Sequence, residues 1–79
     1  MDKKLSELLA EVFGLRVSEI EPKLKQADVG TWDSLKQMDL VTSLEQEYDI
    51  ALEIPDIQSM TSVAEIIAVL KNKGIVLGS

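Results

Sequence analysis

The chain has 79 residues, 46% of them hydrophobic, a net charge of −6, and neither Cys nor His. That length supports one compact domain, and the missing Cys and His exclude disulfides, thiolate metal sites and the usual general base. The acidity argues against nucleic acid as a partner, because that affinity comes from Lys and Arg on phosphates, and the lack of a long apolar run argues against stable membrane insertion and for a cytoplasmic location.

The charge is uneven along the chain. Between Asp28 and Glu65 nine acids face one base, Lys36, giving that segment a net charge of −8. An acidic face of this kind can steer a basic partner, or simply keep a small protein soluble.

A first helix is expected over Lys3 to Phe13, capped by Asp2. Leu5, Leu8, Leu9, Val12 and Phe13 recur at the spacing of one buried stripe. Gly14 suits the left-handed position that ends a helix, and Leu15 can fold back on it. From Arg16 to Trp32 no helical period is found. A loop of this length is expected to be functional or to hide a short helical turn, with Ile20, Leu24 and Val29 pinning it to the core. Trp32 reads as a core anchor just ahead of the second helix.

The second helix is expected over Ser34 to Tyr48, with Asp33 as N-cap. Ser34 then stands at the first helical position, among unpaired N–H groups at the positive end of the dipole, where a phosphate would be favoured. Those three residues alone favour an ordinary first turn, since Asp-Ser-Leu occurs often by chance. At 100° per residue Leu40, Val41, Leu44 and Tyr48 share one arc, with Gln37 at its polar centre or edge. Leu35, Met38 and Thr42 share another arc, flanked by Asp39, Glu45 and Gln46. The second arc is either a docking face beside Ser34 or a surface covered by the preceding loop.

Ile50, Leu52 and Ile54 alternate like an extended connector. Pro55 suits the first position of a short helix reaching about Met60, with Ile57 and Met60 inward. Ser62-Val63-Ala64-Glu65 reads as a capping box opening a last helix to about Lys73. Val63, Ile66, Ile67 and Leu70 form its stripe, Gly74 its stop and Ile75 a returning contact. Residues 76–79 are expected to be a flexible tail. The fold class is all-α: a small four-helix bundle over residues 1–79, with three longer helices, one short helix before the last, and a long loop between helices 1 and 2. No metal-ligand spacing is found, and self-contained catalysis at Ser34 lacks a His base.

The chain resembles a free-standing acyl carrier protein. The resemblance rests on Gly30-x-x-Asp33-Ser34-Leu35, on Leu40-Val41-x-x-Leu44-Glu45-x-Glu47-Tyr48-Asp49-Ile50, on Ile54-Pro55-Asp56, on Met60-Thr61-Ser62-Val63, and on Ile66-Ile67 with Leu70. It spans Leu5 to Lys73. It implies a carrier rather than an enzyme, with 4′-phosphopantetheine attached to Ser34 by a separate holo-acyl-carrier synthase using Mg²⁺, and with Asp33 supporting the attachment. Acyl groups would ride as thioesters on that arm. Leu35, Met38, Asp39, Thr42 and Glu45 would meet the basic docking surfaces of acyl-activating, condensing or acyl-transfer enzymes. Leu44, Ile54, Ile57, Met60 and Ile67 are the implied lining of an acyl-chain cavity, and the protein would act as a monomer in fatty-acid, polyketide or modified-lipid synthesis. A peptidyl or aminoacyl carrier, or an unmodified helical interaction module, would share the pattern. Lys36 stands where fatty-acid carriers usually have an acid, Thr42 replaces a more apolar residue, and Ile54-Pro55-Asp56 sits late. With Trp32 these departures point to a specialised carrier.

Overall fold

The computed structural model describes residues 1–78; Ser79, the last residue of the expected tail, lies outside the described residues. Four helices follow one another: α1 (Lys3–Phe13), α2 (Ser34–Tyr48), α3 (Ile54–Ser59) and α4 (Val63–Asn72). Two single 3-10 turns, Val17–Glu19 and Gln26–Asp28, interrupt the long first connection.

The three longer helices start on side-chain oxygens. Asp2 Oδ1 accepts from Leu5 N at 2.8 Å, Asp33 Oδ1 from Lys36 N at 2.9 Å, and Ser62 Oγ from Glu65 N at 3.1 Å. Each satisfies a first-turn N–H that the helix itself cannot pair. At Ser62 only this half of the expected capping box forms. Glu65 is exposed, and the carbonyls of Leu24 and Pro22 organise the turn instead by accepting from Val63 N and Ala64 N. The same three helices also stop alike. Gly14, Asp49 and Gly74 have φ of 69°, 52° and 84°. The next residue in each case, Leu15, Ile50 or Ile75, returns its N–H to Ala10, Glu45 or Leu70. At Asp49 a side chain occupies a position that glycine fills without steric cost.

α3 begins at Ile54, one residue earlier than expected, so Pro55 is its second residue. Asp56 Oδ2 accepts from Glu53 N at 3.0 Å and from Lys73 Nζ at 2.9 Å. Ile54 therefore leaves the extended connector for the exposed start of a helix, while Ile50 and Leu52 are half-buried.

The core gathers Leu5, Leu9 and Phe13 from α1, Leu40, Val41 and Leu44 from α2, Met60 after α3, and Val63, Ile66 and Leu70 from α4. Ile20, Val29 and Trp32 bring the long loop into the same cluster, and Leu24 packs on its edge. Ser6, the buried polar residue of α1, donates to Asp2 O at 2.8 Å. Tyr48 OH is buried without a partner among the described residues, and burial, ahead of the negative charges of Asp2 and Glu47, pushes its phenol above the usual range.

The chain end folds back on the body. Leu77 is half-buried against the core and Gly78 N donates to Asp2 Oδ2 at 2.8 Å, so one carboxylate both caps α1 and holds the returning chain. Val76, just before them, stays 96% exposed.

Candidate functional site

The turn that carries Ser34 is held from both sides. Phe13, at the end of α1, stacks on Trp32 with ring centroids 4.4 Å apart and an interplanar angle of 28°. Aromatic pairs of this geometry contribute about 0.5–1.5 kcal/mol beyond their burial. Thr31 Oγ1 donates to Phe13 O at 2.8 Å, meeting one of the carbonyls that α1 leaves unpaired at its end. Trp32 N donates to Val29 O and Asp33 N to Thr31 O, both at 3.0 Å. The loop thus arrives at α2 with little freedom left.

Ser34 is the first residue of α2 and is exposed. Of the first three N–H groups of the helix, Lys36 N is taken by Asp33 Oδ1. Those of Ser34 and Leu35 have no acceptor among the described residues, so two donors and the positive dipole end adjoin the hydroxyl. The site therefore suits a phosphoester on that oxygen. It does not activate the oxygen: Asp33 is occupied as a cap, and Lys36 Nζ is 3.7 Å from Asp39 Oδ2. A nucleophile needs a base within reach, and here one has to come from elsewhere.

The two arcs of α2 separate as follows. Leu40, Val41 and Leu44 are buried, whereas Leu35 and Met38 are 79% and 57% exposed. Thr42 and Asp39 are exposed with them. The loop does not cover this face, because Ile20, Val29 and Trp32 draw it into the core elsewhere. Glu45 is only half-exposed, and its Oε2 accepts from Leu52 N at 2.9 Å, so part of its carboxylate is spent on the connector after α2.

Lys36 turns into a groove between α1 and α2. This groove, of about 700 Å³, is lined by Lys4, Leu8, Val12, Lys36, Asp39 and Glu47 among others. Lys4 Nζ lies 3.7 Å from Glu47 Oε1 and 4.8 Å above the Tyr48 ring.

The five residues expected to line an acyl-chain cavity are not brought around one space. Leu44 and Met60 are fully buried core side chains, Ile57 and Ile67 are half-buried, and Ile54 is 69% exposed because it opens α3. Ile67 borders a different depression, of about 340 Å³, with Asp2, Pro22, Lys71 and Leu77. Among the described residues no group of three acidic side chains stands close enough to hold a metal ion.

Gln37 is the residue whose part the sequence pattern missed. Its Oε1 accepts from Trp32 Nε1 at 2.6 Å, and its Nε2 donates to Ile57 O at 3.0 Å and Met60 O at 3.2 Å. A polar residue in a core-facing arc, five positions after a lone Trp, was the available signal.

With this geometry in place, the similarities to known proteins bear on the same turn. A family model described as "Phosphopantetheine attachment site" matches residues 3–70. An acyl carrier protein of Exiguobacterium sp. is 33% identical over 69 residues, covering 87% of each chain. An acyl carrier protein of Nitratidesulfovibrio vulgaris is 27% identical over 73 residues, covering 92% of this chain and 96% of its own. The solution structure of a holo acyl carrier protein from Geobacter metallireducens superposes with a TM-score of 0.79 at 26% identity, over 89% of this chain and 80% of that one.

Proposed function

The chain belongs to the phosphopantetheine attachment site family, and from that premise we propose that Ser34 is the residue to which 4′-phosphopantetheine is joined. The protein is an acyl carrier that bears this arm. Bound, the arm supplies a thiol that holds acyl groups as thioesters. Everything else falls to the protein body.

One observation supports Ser34 above the rest: an exposed hydroxyl on the first residue of a long helix, beside two free N–H donors. Ser34 supplies the oxygen that displaces the nucleotide half of coenzyme A at phosphorus, and its proton passes to a base of the transferring enzyme. Asp33 fixes the turn through Lys36 N, and that is the support it gives to attachment at Ser34. Leu35, Met38 and Thr42 form an exposed apolar strip that partner enzymes press against, and Asp39 and Glu45 at its edges attract their basic side chains. Lys36, folded toward Asp39, offsets part of that negative field. The partners are a phosphopantetheinyl transferase and enzymes that load, extend or remove acyl groups in fatty-acid, polyketide or modified-lipid synthesis, in the cytoplasm. Among the described residues no helix is long and apolar enough to cross a membrane.

Intact-mass spectrometry tests the assignment. After incubation with coenzyme A, Mg²⁺ and a broad-specificity transferase, the wild type gains one phosphopantetheinyl group and Ser34→Ala gains none. An unmodified wild type, or a labelled Ser34→Ala, refutes it.

A further inference from the structure

Trp32 immediately precedes the cap Asp33, and Gln37 is the fourth residue of α2. At these two positions an apolar pair often closes over the start of a helix and fixes the angle at which the chain enters it. Here a hydrogen bond closes them: Trp32 Nε1 donates to Gln37 Oε1 at 2.6 Å. Ser34 lies in sequence between the two. The cap bond from Lys36 N to Asp33 Oδ1 brackets the same serine from one residue further in at each end.

The two brackets do different things. The Asp33 cap pairs an N–H of the helix and holds the first turn of α2, but it ties down nothing ahead of Asp33. Trp32 does that. It is only 3% exposed, and its ring stacks on Phe13 at the end of α1, which sets the plane of the indole. A stack alone lets the rings slide, because dispersion has little direction, whereas a hydrogen bond weakens steeply as it bends. The indole can only donate, and Gln37 has one side-chain oxygen to accept. The Gln37 amide protons are taken by Ile57 O and Met60 O, which leaves that oxygen facing Trp32. Trp32 is therefore a post fixed to both α1 and α2, and Ser34 is placed relative to it. The exposed strip of Leu35, Met38 and Thr42 contributes no bond to this arrangement.

We propose that Trp32 and Gln37 act as one positioning pair for attachment of the arm: their bond fixes how the chain enters α2, and with it the direction in which Ser34 Oγ is offered to phosphorus. This rests on Ser34 bearing the arm. In the transfer, the bond from Ser34 Oγ to phosphorus forms as the pyrophosphate P–O bond to the nucleotide half of coenzyme A breaks, and the serine proton leaves to a base of the transferase. The attacking oxygen has to stand in line with the leaving group, and small misplacements slow such a step steeply. The pair therefore governs the rate within the bound complex and not the formation of that complex, because a transferase docks on the strip, which the pair does not touch. An interaction that counts only in the transition state shows in kcat, with KM unchanged.

Steady-state loading with coenzyme A, Mg²⁺ and a broad-specificity transferase tests this, with the carrier as the varied substrate and thermal melts run alongside. Trp32→Phe keeps a ring against Phe13 and loses the donor. Gln37→Leu loses the acceptor. Gln37→Glu keeps the acceptor for Trp32 and loses only the donors to Ile57 O and Met60 O. Trp32→Phe and Gln37→Leu are each expected to lower kcat about tenfold, with KM within about twofold of wild type. Gln37→Glu is expected to stay within about threefold of the wild-type kcat, since a carboxylate still accepts from the indole. The double variant Trp32→Phe/Gln37→Leu should be no slower than either single variant, because both remove the same bond. A raised KM with kcat unchanged, an additive loss of about a hundredfold in the double variant, or a Gln37→Glu as slow as Gln37→Leu overturns the inference. Wild type that takes no arm refutes the carrier site itself, an outcome distinct from normal loading of Trp32→Phe, which refutes only the pair. Should Trp32→Phe lose its cooperative melt, Gln37→Glu against Gln37→Leu decides the matter alone.

Discussion

Asp33→Ala tests what the residue before Ser34 does for the fold and, through the turn, for the arm. Asp33 Oδ1 accepts from Lys36 N at 2.9 Å, and the side chain is exposed. Truncation leaves Lys36 N to water and removes a cap, at a cost of about 1 kcal/mol. It also removes a negative charge from the positive end of a 15-residue helix, for about 0.3–1 kcal/mol more. In a domain of this size each kcal/mol moves the midpoint by about 4–8 °C. Thermal melts followed by far-UV circular dichroism should therefore show Asp33→Ala about 5–15 °C below wild type. Asp33→Asn and Asp33→Ser keep an acceptor for Lys36 N, and they should recover most of that loss. Loading by a transferase should follow the melts: Asp33→Asn keeps the cap and loads like wild type, whereas Asp33→Ala loads slowly. Equal melts for Asp33→Ala and wild type would refute the cap. Equal destabilisation by Asn and Ala would show that charge, not the hydrogen bond, holds the turn.

Met38→Glu should leave helix content and melting unchanged, since Met38 is 57% exposed, while weakening capture by an acyl-processing partner; a large loss of helicity would return Met38 to the core. Trp32→Phe keeps the stack on Phe13 but leaves Gln37 Oε1 without its donor, and chemical denaturation should show a loss of about 1–2 kcal/mol. Asp49→Gly should stabilise by about 0.5–1 kcal/mol, because Asp49 sits at φ 52° and carries a negative charge at the negative end of α2. The acid limb should report Asp56, whose carboxyl is held below the usual range first by Glu53 N–H and then by Lys73. A depressed carboxylate stabilises fully above its unfolded pKa and loses that contribution as pH falls through the folded value. Wild type should thus lose more stability than Asp56→Asn between neutral pH and about pH 2, and parallel curves would mean the pair is not linked to folding. Lys73 behaves in the opposite sense. Its ammonium is raised, chiefly by the bond to Asp56, so its contribution is complete below the ordinary lysine pKa and disappears as pH climbs through the raised value. Lys73→Met should flatten that alkaline limb.

The features legible from the residues alone are those decided within a few positions. The ranges of α1 and α2 follow from Asp2, Gly14 and Asp33 and from apolar spacing, and the capping contacts of all three reach at most four positions away. The place of Ser34 at the positive end of a helix belongs to this class, whereas its part as an attachment point follows from the resemblance over Leu5 to Lys73 and not from that position alone. Other features depend on groups that only folding brings together. Thr31 meets Phe13 across 18 positions, Gln37 meets Met60 across 23, and Gly78 meets Asp2 across 76. No local pattern encodes such pairs, because each depends on where the intervening chain runs. The same reason governs Leu35 and Met38: their spacing allowed a docking face or a surface hidden by the loop, and the loop's anchorage through Ile20, Val29 and Trp32 left them open. Ile54 shows the converse. One extra residue of helix turned an expected lining residue into an exposed one, since the first residue of a short helix has no turn before it to carry it inward.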